Sequence, residues 1–473
     1  MNKVKTRFAP SPTGLIHLGN ARTALFSALL AKHFQGTFLL RIEDTDLERS
    51  REEYTLALQQ DLCWMQCRWN EGPDIGGEYG PYWQSEREAI YNRYYKKLEE
   101  LGRAYTCFCS EEQLNISRKV QRIAGQAPRY AGTCRHLSES EREQKLAAGL
   151  KPVLRFRVDD DAIVEFDDLV KGKQKFLASD IGDFIIRRAD GAPTFMFCNA
   201  IDDAFMHVTH VLRGEDHLTN TPRQLMILQA LNLEPPIYGH ISLILGSDGA
   251  PLSKRTGSKS IRELRELGWL SDSVINYLAR LGHYYVDNDF MSFERLAEKF
   301  AISNLSSSSA KYDPQQMLYW QKMGVARLSN ENFWQWISSD NHAALEIIPA
   351  ALRDTFIQAV KPNVIFPKDA WHWAAIFFAT DWQIAGAQEE ILQAIHPEFF
   401  TMALTAAEMH GNDLVAIANM LKEKLNVKGK QLFMPLRIAL TGEEHGPELA
   451  LIGQLLGAEK IKQRFNDALL LIR

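Results

Sequence analysis

A chain of 473 residues, 45% hydrophobic and 24% charged, is too long for a single core and is expected to form three or four globular domains. It has no apolar run of about 18 residues and enters a β-prone run almost at once, so neither a transmembrane helix nor an apolar signal stretch is expected; six cysteines over such a length fit a reducing, cytoplasmic setting better than a disulfide framework. The net charge of −5 excludes a uniformly basic surface, so any polyanionic partner must be met by local clusters.

Residues 1–105 alternate between β-prone runs (4–8 and 37–42) and runs of helical spacing (21–34 and 87–101). This rhythm predicts one half of a doubly wound parallel sheet. It breaks over 106–190, where cysteines, turns and short β-like runs (153–158, 162–166, 184–188) read as an insertion between two sheet halves. Alternation returns over 191–257, with strand-like runs at 194–199, 208–212 and 241–245 around a helix near 222–231. Residues 258–324 turn helical: Val274, Ile275, Leu278 and Leu281 form an apolar stripe behind a Ser271/Asp272 cap signal. The serine run 306–309 is expected to be a structured joint, because Asp313-Pro314 follows it as a helix cap with proline at the first position. Residues 325–473 are helical and aromatic, with Trp334, Trp336, Trp371 and Trp373 expected in the core.

Two segments carry the chemistry. Phe8-Ala9-Pro10-Ser11-Pro12-Thr13-Gly14-Leu15-Ile16-His17-Leu18-Gly19-Asn20 sets a Pro/Gly turn and a histidine between the first strand and its helix, where free backbone N–H groups attract an anion. Gly19 leaves room for a nucleotide, and His17 offers a donor to phosphate. Far downstream, the Gly/Ser-rich loop 246–257 carries Leu252-Ser253-Lys254-Arg255. Either tetrapeptide alone is weak; the ordered pair is placed to grip a triphosphate from two sides. Arg7, Glu43 and Arg213 each lie beside a predicted strand end, where open parallel sheets hold ligands. A buried charge there requires a partner, in a ligand or in a structural salt bridge.

Cys107-Phe108-Cys109 and Cys134-Arg135-His136 offer two tight pairs of soft or borderline ligands, suited to a closed tetrahedral zinc site. The spacing is not that of a common finger, and chemistry alone leaves zinc and a set of reduced cysteines both open. Three basic clusters point to a polyanion: Arg118, Lys119, Arg122, Arg129 and Arg135; Lys254, Arg255, Lys259, Arg262 and Arg265; and Lys422, Lys424, Lys428 and Lys430.

The pair of signatures at 17–20 and 252–255 resembles those of class I aminoacyl-tRNA synthetases. Arg7-Phe8-Ala9-Pro10-Ser11-Pro12-Thr13-Gly14 and Arg41-Ile42-Glu43-Asp44-Thr45-Asp46 narrow the resemblance to bacterial-type glutamyl-tRNA synthetases, over most of the chain and most densely in 1–325. The resemblance implies an α/β fold: a Rossmann-like doubly wound parallel sheet (1–105 and 191–257) with an inserted acceptor-stem-binding domain (106–190). A helical stem-contact domain (258–324) and an all-α anticodon-binding region (325–473) would follow. It implies ATP contacts at His17, Gly19, Asn20, Leu252, Ser253 and Lys254, with one of Glu215 and Asp216 at the ribose. His17, Lys254 and Arg255 are the implied catalytic groups, with Mg²⁺ on the phosphates. It places glutamate against Arg7, Ala9, Ser11, Glu43, Phe195, Asn199 and Arg213, and a structural Zn²⁺ on Cys107, Cys109, Cys134 and His136. The expected partner is tRNA-Glu, with tRNA-Gln as an open second acceptor, and the expected state is a monomer. Two residues depart from the family pattern: Pro251 stands where a lysine is usual, and Phe195 where a tyrosine is usual. The rival readings are a shortened paralogue that glutamylates a tRNA base, a small-molecule nucleotidyltransferase, a non-catalytic tRNA- or amino-acid-binding relative, and a non-discriminating or tRNA-Gln-directed synthetase paralogue. About 200 helical residues beyond the loop oppose the first.

Overall fold

The computed structural model describes residues 3–46, 48–252, 259–339, 342–384 and 386–472. In chain order the elements are β1 (Lys5–Phe8), α1 (Leu18–His33), β2 (Thr37–Leu40), α2 (Glu52–Trp64) and α3 (Glu88–Glu100). Next come β3 (Ala104–Cys107), α4 (Glu111–Ile123), α5 (Glu139–Ala147), β4 (Val153–Phe156), β5 (Ile163–Asp168), β6 (Gly172–Leu177), α6 (Ala178–Ile181) and β7 (Phe184–Arg187). Then follow α7 (Phe195–Phe205), β8 (His210–Gly214), α8 (Thr221–Leu231), β9 (Ile237–Ile241), β10 (Ile244–Leu245), α9 (Ile261–Glu266), α10 (Ser271–Arg280), α11 (Phe293–Glu298) and β11 (Ala310–Lys311). From Pro314–Arg327 to Leu449–Ile472 the described elements are all helical. The chain forms two compact units, Met1–Arg265 with Val274–Pro314, and Glu266–Ser273 with Gln315–Arg473.

In the first unit a four-stranded parallel sheet runs β2-β1-β8-β9. All four residues of β1 are buried, as a central parallel strand requires. The chain leaves β1 towards β2 on one side and is joined by β8 on the other. The crevice at the carboxyl ends of β1 and β8 is therefore the switch point at which such sheets bind ligands. Helix α1 packs on this sheet with Ala21, Ala24, Leu25, Phe26 and Leu29 wholly buried. The inserted strands β3, β4 and β7 make an antiparallel sheet, and β5 and β6 a hairpin. Leu154 and Phe156 of β4 share one apolar cluster with Tyr95, Phe197 and Ile227, so the insertion is continuous with the sheet's own helices. Tyr95 and Phe197 stack with ring centres 4.1 Å apart.

Three local expectations change. Helix α1 starts at Leu18 rather than residue 21, because His17 itself caps it: its Nδ1 accepts the Gly19 N–H at 3.2 Å. Residues 194–199 are not a strand but open α7; Phe197, Cys198 and Ile201 fall at helical spacing and are all buried. The strand expected at 241–245 is two pieces, β9 and β10. The serine run does lead into a short strand, β11, and then a helix beginning at Pro314.

The second unit has its own core, which includes Phe333, Phe356, Phe377, Phe400, Leu436 and Phe465. Trp373 is part of it. Trp334, Trp336 and Trp371 are only half-buried at its edge. Trp336 and Trp371 each keep the indole N–H on a backbone carbonyl, of Gly268 and Ile337 respectively. Lys422, Lys424, Lys428 and Lys430 are all exposed. No helix among the described residues is long and apolar enough to cross a membrane.

Candidate active site

A cleft of about 470 Å³ opens at the carboxyl ends of β1 and β8 and the N-terminus of α1. It gathers residues far apart in sequence: Arg7, Ala9 and Ser11 from the end of β1; His17, Gly19 and Asn20 from the start of α1; Glu43 from beyond β2; Phe195 and Asn199 from α7; and Arg213 and Asp216 from the end of β8. Of the residues singled out in sequence, Glu215 and Leu252 do not line it. Ser253, Lys254 and Arg255 lie outside the described residues.

The deep end of the cleft is a charge network. Asp203 accepts Arg41 Nη1 at 2.7 Å and Arg7 Nε at 3.4 Å; Arg41 Nη2 reaches Glu43 Oε1 at 3.0 Å. Asn199 Nδ2 donates to the same Glu43 oxygen at 2.7 Å. Burial works to raise the Asp203 carboxyl, but the two guanidiniums prevail and hold it below the usual carboxylate range. Burial pushes Glu43 up, against the opposing pull of Arg41 and Arg7.

Arg213 differs from these pairs. It is buried, and its hydrogen-bond partners are Thr221 Oγ1 at 2.8 Å, Gln224 Oε1 at 2.7 Å and the unprotonated face of His240 at 3.1 Å. No carboxylate pairs with it among the described residues, and its buried Nη1 has no partner there. Burial lowers its pKa to about 10, so it stays cationic at neutral pH. A buried cation held by neutral groups is costly unless an anion arrives.

At the shallow end the N-terminus of α1 supplies backbone N–H groups and a positive helix pole. A Cβ at Gly19 would sit 3.1 Å from the His17 ring, so glycine there keeps the imidazole in place. Residues on both sides of 253–258 meet this region. Ile244, on the cleft wall, accepts the Leu252 N–H at 2.8 Å; Ser260 bridges His17, and Ile261 N donates to Ile16 O at 2.9 Å. Glu215 turns away, binding the Lys171 ammonium and the Leu243 N–H, so of the pair it is Asp216 that lines the cleft.

The sequence reading missed Arg22, Asp203, Gln224, His217 and His240. His217 lines the cleft beside Phe195, ring centres 5.1 Å apart, and burial lowers its pKa to about 4. Arg22, also buried on the cleft wall, donates to the carbonyls of Leu281 and Ser242. An arginine at helical spacing from Leu25, Phe26 and Leu29 was the available signal.

In the insertion the thiols of Cys107, Cys109 and Cys134 lie within 4.8 Å of one another. His136, the fourth expected ligand, is exposed and outside this group. Instead the Tyr130 hydroxyl stands among the sulfurs, 3.3 Å from Cys107 Sγ and 3.5 Å from Cys109 Sγ, and accepts the Cys134 N–H at 2.8 Å. Position 136 follows Cys134 on a turn that carries its side chain to solvent. The basic stretch between the cysteine pairs is mostly the exposed helix α4.

Comparison with known proteins decides the family. A model of the catalytic domain of class I tRNA synthetases (E and Q) matches residues 3–319, and an anticodon binding domain matches 328–469. The chain belongs to the class I tRNA synthetases of the E and Q type. Within that family it is 56% identical over 465 residues to glutamate–tRNA ligase 1 of Coxiella burnetii, covering 98% of this chain and 99% of the relative. It is 52% identical to glutamate–tRNA ligase 2 of Nitrosococcus oceani, covering 99% of each. The crystal structure of a glutamate tRNA ligase from Elizabethkingia meningosepticum, in complex with its amino acid, superimposes with a TM-score of 0.89 at 28% identity over the whole of both chains. The synthetase fold expected from sequence, a parallel sheet with helices followed by a helical anticodon-binding region, is therefore the one present.

Proposed function

We propose that this class I synthetase is a glutamate–tRNA ligase that activates L-glutamate with ATP and transfers it to the terminal adenosine of tRNA-Glu. The observation that carries the reading is Arg213, a buried cation on the cleft wall whose hydrogen-bond partners are all neutral and whose Nη1 has no partner among the described residues. The side-chain carboxylate of glutamate supplies the missing anion, and arginine's planar fork suits it. Glu43 is the counter-charge for the substrate ammonium, with Arg7, Ala9, Ser11, Phe195 and Asn199 completing the wall. Glutamine would leave Arg213 uncompensated, which gives discrimination without an editing site.

ATP lies across the N-terminus of α1, its phosphates on His17 and the helix N–H groups, with Gly19 and Asn20 beside it and Asp216 in reach of the ribose. The glutamate α-carboxylate attacks the α-phosphate and pyrophosphate leaves; a ribose hydroxyl of the tRNA then attacks the acyl carbon and AMP leaves. Lys254 and Arg255 meet the charge developing on pyrophosphate, with Leu252 and Ser253 shaping that loop. Catalysis is positioning and charge stabilisation, without a covalent enzyme intermediate. Mg²⁺ bound with the nucleotide would neutralise phosphate charge. Six cysteines free of disulfides fit a cytoplasmic setting, and a monomer is the expected state. The deciding experiment is ATP–pyrophosphate exchange with and without tRNA-Glu. Exchange that requires both glutamate and tRNA is expected; exchange driven equally by glutamine would overturn the pocket assignment.

Three thiols in one group suit Zn²⁺, which would stiffen the insertion that carries the basic helix α4. With His136 turned out, the Tyr130 oxygen or a returning His136 would complete four ligands. Purified protein is expected to hold about one zinc per chain. Cys134→Ser should release it and make residues 106–190 protease-sensitive, while pyrophosphate exchange persists. A metal content unchanged by that substitution counts against the site.

A further inference from the structure

The inserted hairpin does more than extend the molecule: its turn reaches back to the sheet and ends beside the cleft. Asp168 closes β5, and the turn after it wraps strand β9, with Leu169 N donating to Tyr238 O at 2.9 Å. Gly239 permits this approach, since a Cβ there would lie 3.2 Å from Leu169 Cβ and 2.8 Å from Leu212 Cδ2. Asp168 is buried and fully engaged. Its Oδ1 accepts the backbone N–H groups of Val170 at 2.9 Å, Lys171 at 2.8 Å and His240 at 3.1 Å, and its Oδ2 takes the Nδ1 of His240.

A carboxylate in that position only accepts, so His240 carries its proton on Nδ1 and leaves Nε2 as a lone pair. The parallel register sets His240 directly opposite Arg213, and Nε2 is the atom that receives Arg213 Nε–H at 3.1 Å. Thr221 and Gln224 hold Nη2, and the Tyr238 ring lies 4.9 Å from the guanidinium carbon. Nε and Nη2 are thereby fixed, and Nη1 is the group left over for a ligand.

We propose that Asp168 and His240 are positioning residues for the amino-acid pocket: Asp168 sets the tautomer of His240, and His240 sets the orientation of Arg213. The proposal rests on the reading of Arg213 as the group that binds the substrate's side-chain carboxylate. Neither residue lines the cleft. The tie also means that the insertion, far from the sheet in sequence, holds one wall of the pocket.

Asp168→Asn tests it sharply. The three backbone N–H groups pin the amide oxygen, so the amide NH2 faces His240 Nδ1. The imidazole proton then moves to Nε2, against Arg213 Nε–H. Two donors facing each other in a buried site should raise the KM for glutamate by about tenfold to a hundredfold. The KM for ATP serves as the control and should move little, while the melting temperature should fall by only a few degrees, about the cost of one buried unpaired donor. His240→Gln places an amide oxygen where Nε2 stood and accepts from Arg213 without help from Asp168. It should keep a KM for glutamate near that of the parent, and adding Asp168→Asn to it should cost nothing more. If the two substitutions are additive, or if Asp168→Asn raises the KM for glutamate and ATP alike, the positioning role is wrong. Arg213→Ala separates the two layers. If it leaves the KM for glutamate unchanged, the pocket reading falls; if it raises that KM and Asp168→Asn does not, only the positioning role falls. Should Asp168→Asn fail to fold, His240→Asn, which cannot reach Arg213, is read against His240→Gln in the same way.

Discussion

Asp203→Ala is expected to cost about 3–5 kcal/mol of stability and to abolish glutamate activation. Asp203 has no exposed surface and bonds both Arg41 and Arg7, two guanidiniums that are themselves buried. In the intact protein Asp203 and Glu43 balance Arg7 and Arg41. Removing one carboxylate leaves two buried cations facing Glu43 and the more distant Asp202, 3.8 Å from Arg41 Nε. A buried charge without its partner is among the few causes of so large a loss. Asp203→Asn keeps the shape and one acceptor oxygen but loses the charge and turns the other oxygen into an amide donor, so it should fold better than the alanine variant and still bind glutamate poorly. The measurement is the denaturation midpoint of the first unit together with the KM for glutamate. A loss within the range of an ordinary surface substitution, about 0.5 kcal/mol, would show that the network is not a closed charge system.

That network also shows what could and could not be read from the chain. Arg7, Glu43 and Arg213 were legible because each is a charge set against a β-prone run, and an open parallel sheet gathers strand ends at one place. Their partners were not. Asp203 belongs to a stretch whose first residues, Phe195 to Asn199, look β-prone; only the packing of Phe197, Cys198 and Ile201 against α3, α8 and the inserted strand β4 makes it a helix and turns Asn199 and Asp203 inward. His240 was hidden in Ile237-Tyr238-Gly239-His240-Ile241, where a glycine and a histidine weaken the strand signal. Its meaning comes from Asp168, 72 positions earlier. The cysteine trio was visible as two tight pairs, but Tyr130 was not, since a phenol four residues before a cysteine carries no ligand signature. Local spacing thus reported which groups carry charge. Which neutral groups hold them depended on long-range register.

The second large effect belongs to the distal loop. Lys254→Ala is expected to lower ATP–pyrophosphate exchange by about a hundredfold to a thousandfold, the scale for removing one group aimed at charge that develops in the transition state. Glutamate and ATP binding should change far less, because the leaving pyrophosphate gains charge only as the bond breaks. Lys254→Arg keeps the charge and should lose less than the alanine variant. Pro251 provides the internal comparison. It is exposed on the returning arm of a short hairpin in which Gly246 N meets Ala250 O at 2.8 Å and Leu252 N meets Ile244 O at 2.8 Å. Proline asks for no backbone hydrogen bond of its own there, so Pro251→Lys should fold normally and restore the cation usual in the family. Far from the core and screened by solvent, that charge is expected to raise exchange by only a few-fold. If Pro251→Lys instead rescued Lys254→Ala to near the parent rate, net loop charge rather than one placed ammonium would be driving the first step. If Lys254→Ala alone kept near-parent exchange, the loop would have no part in stabilising the leaving group.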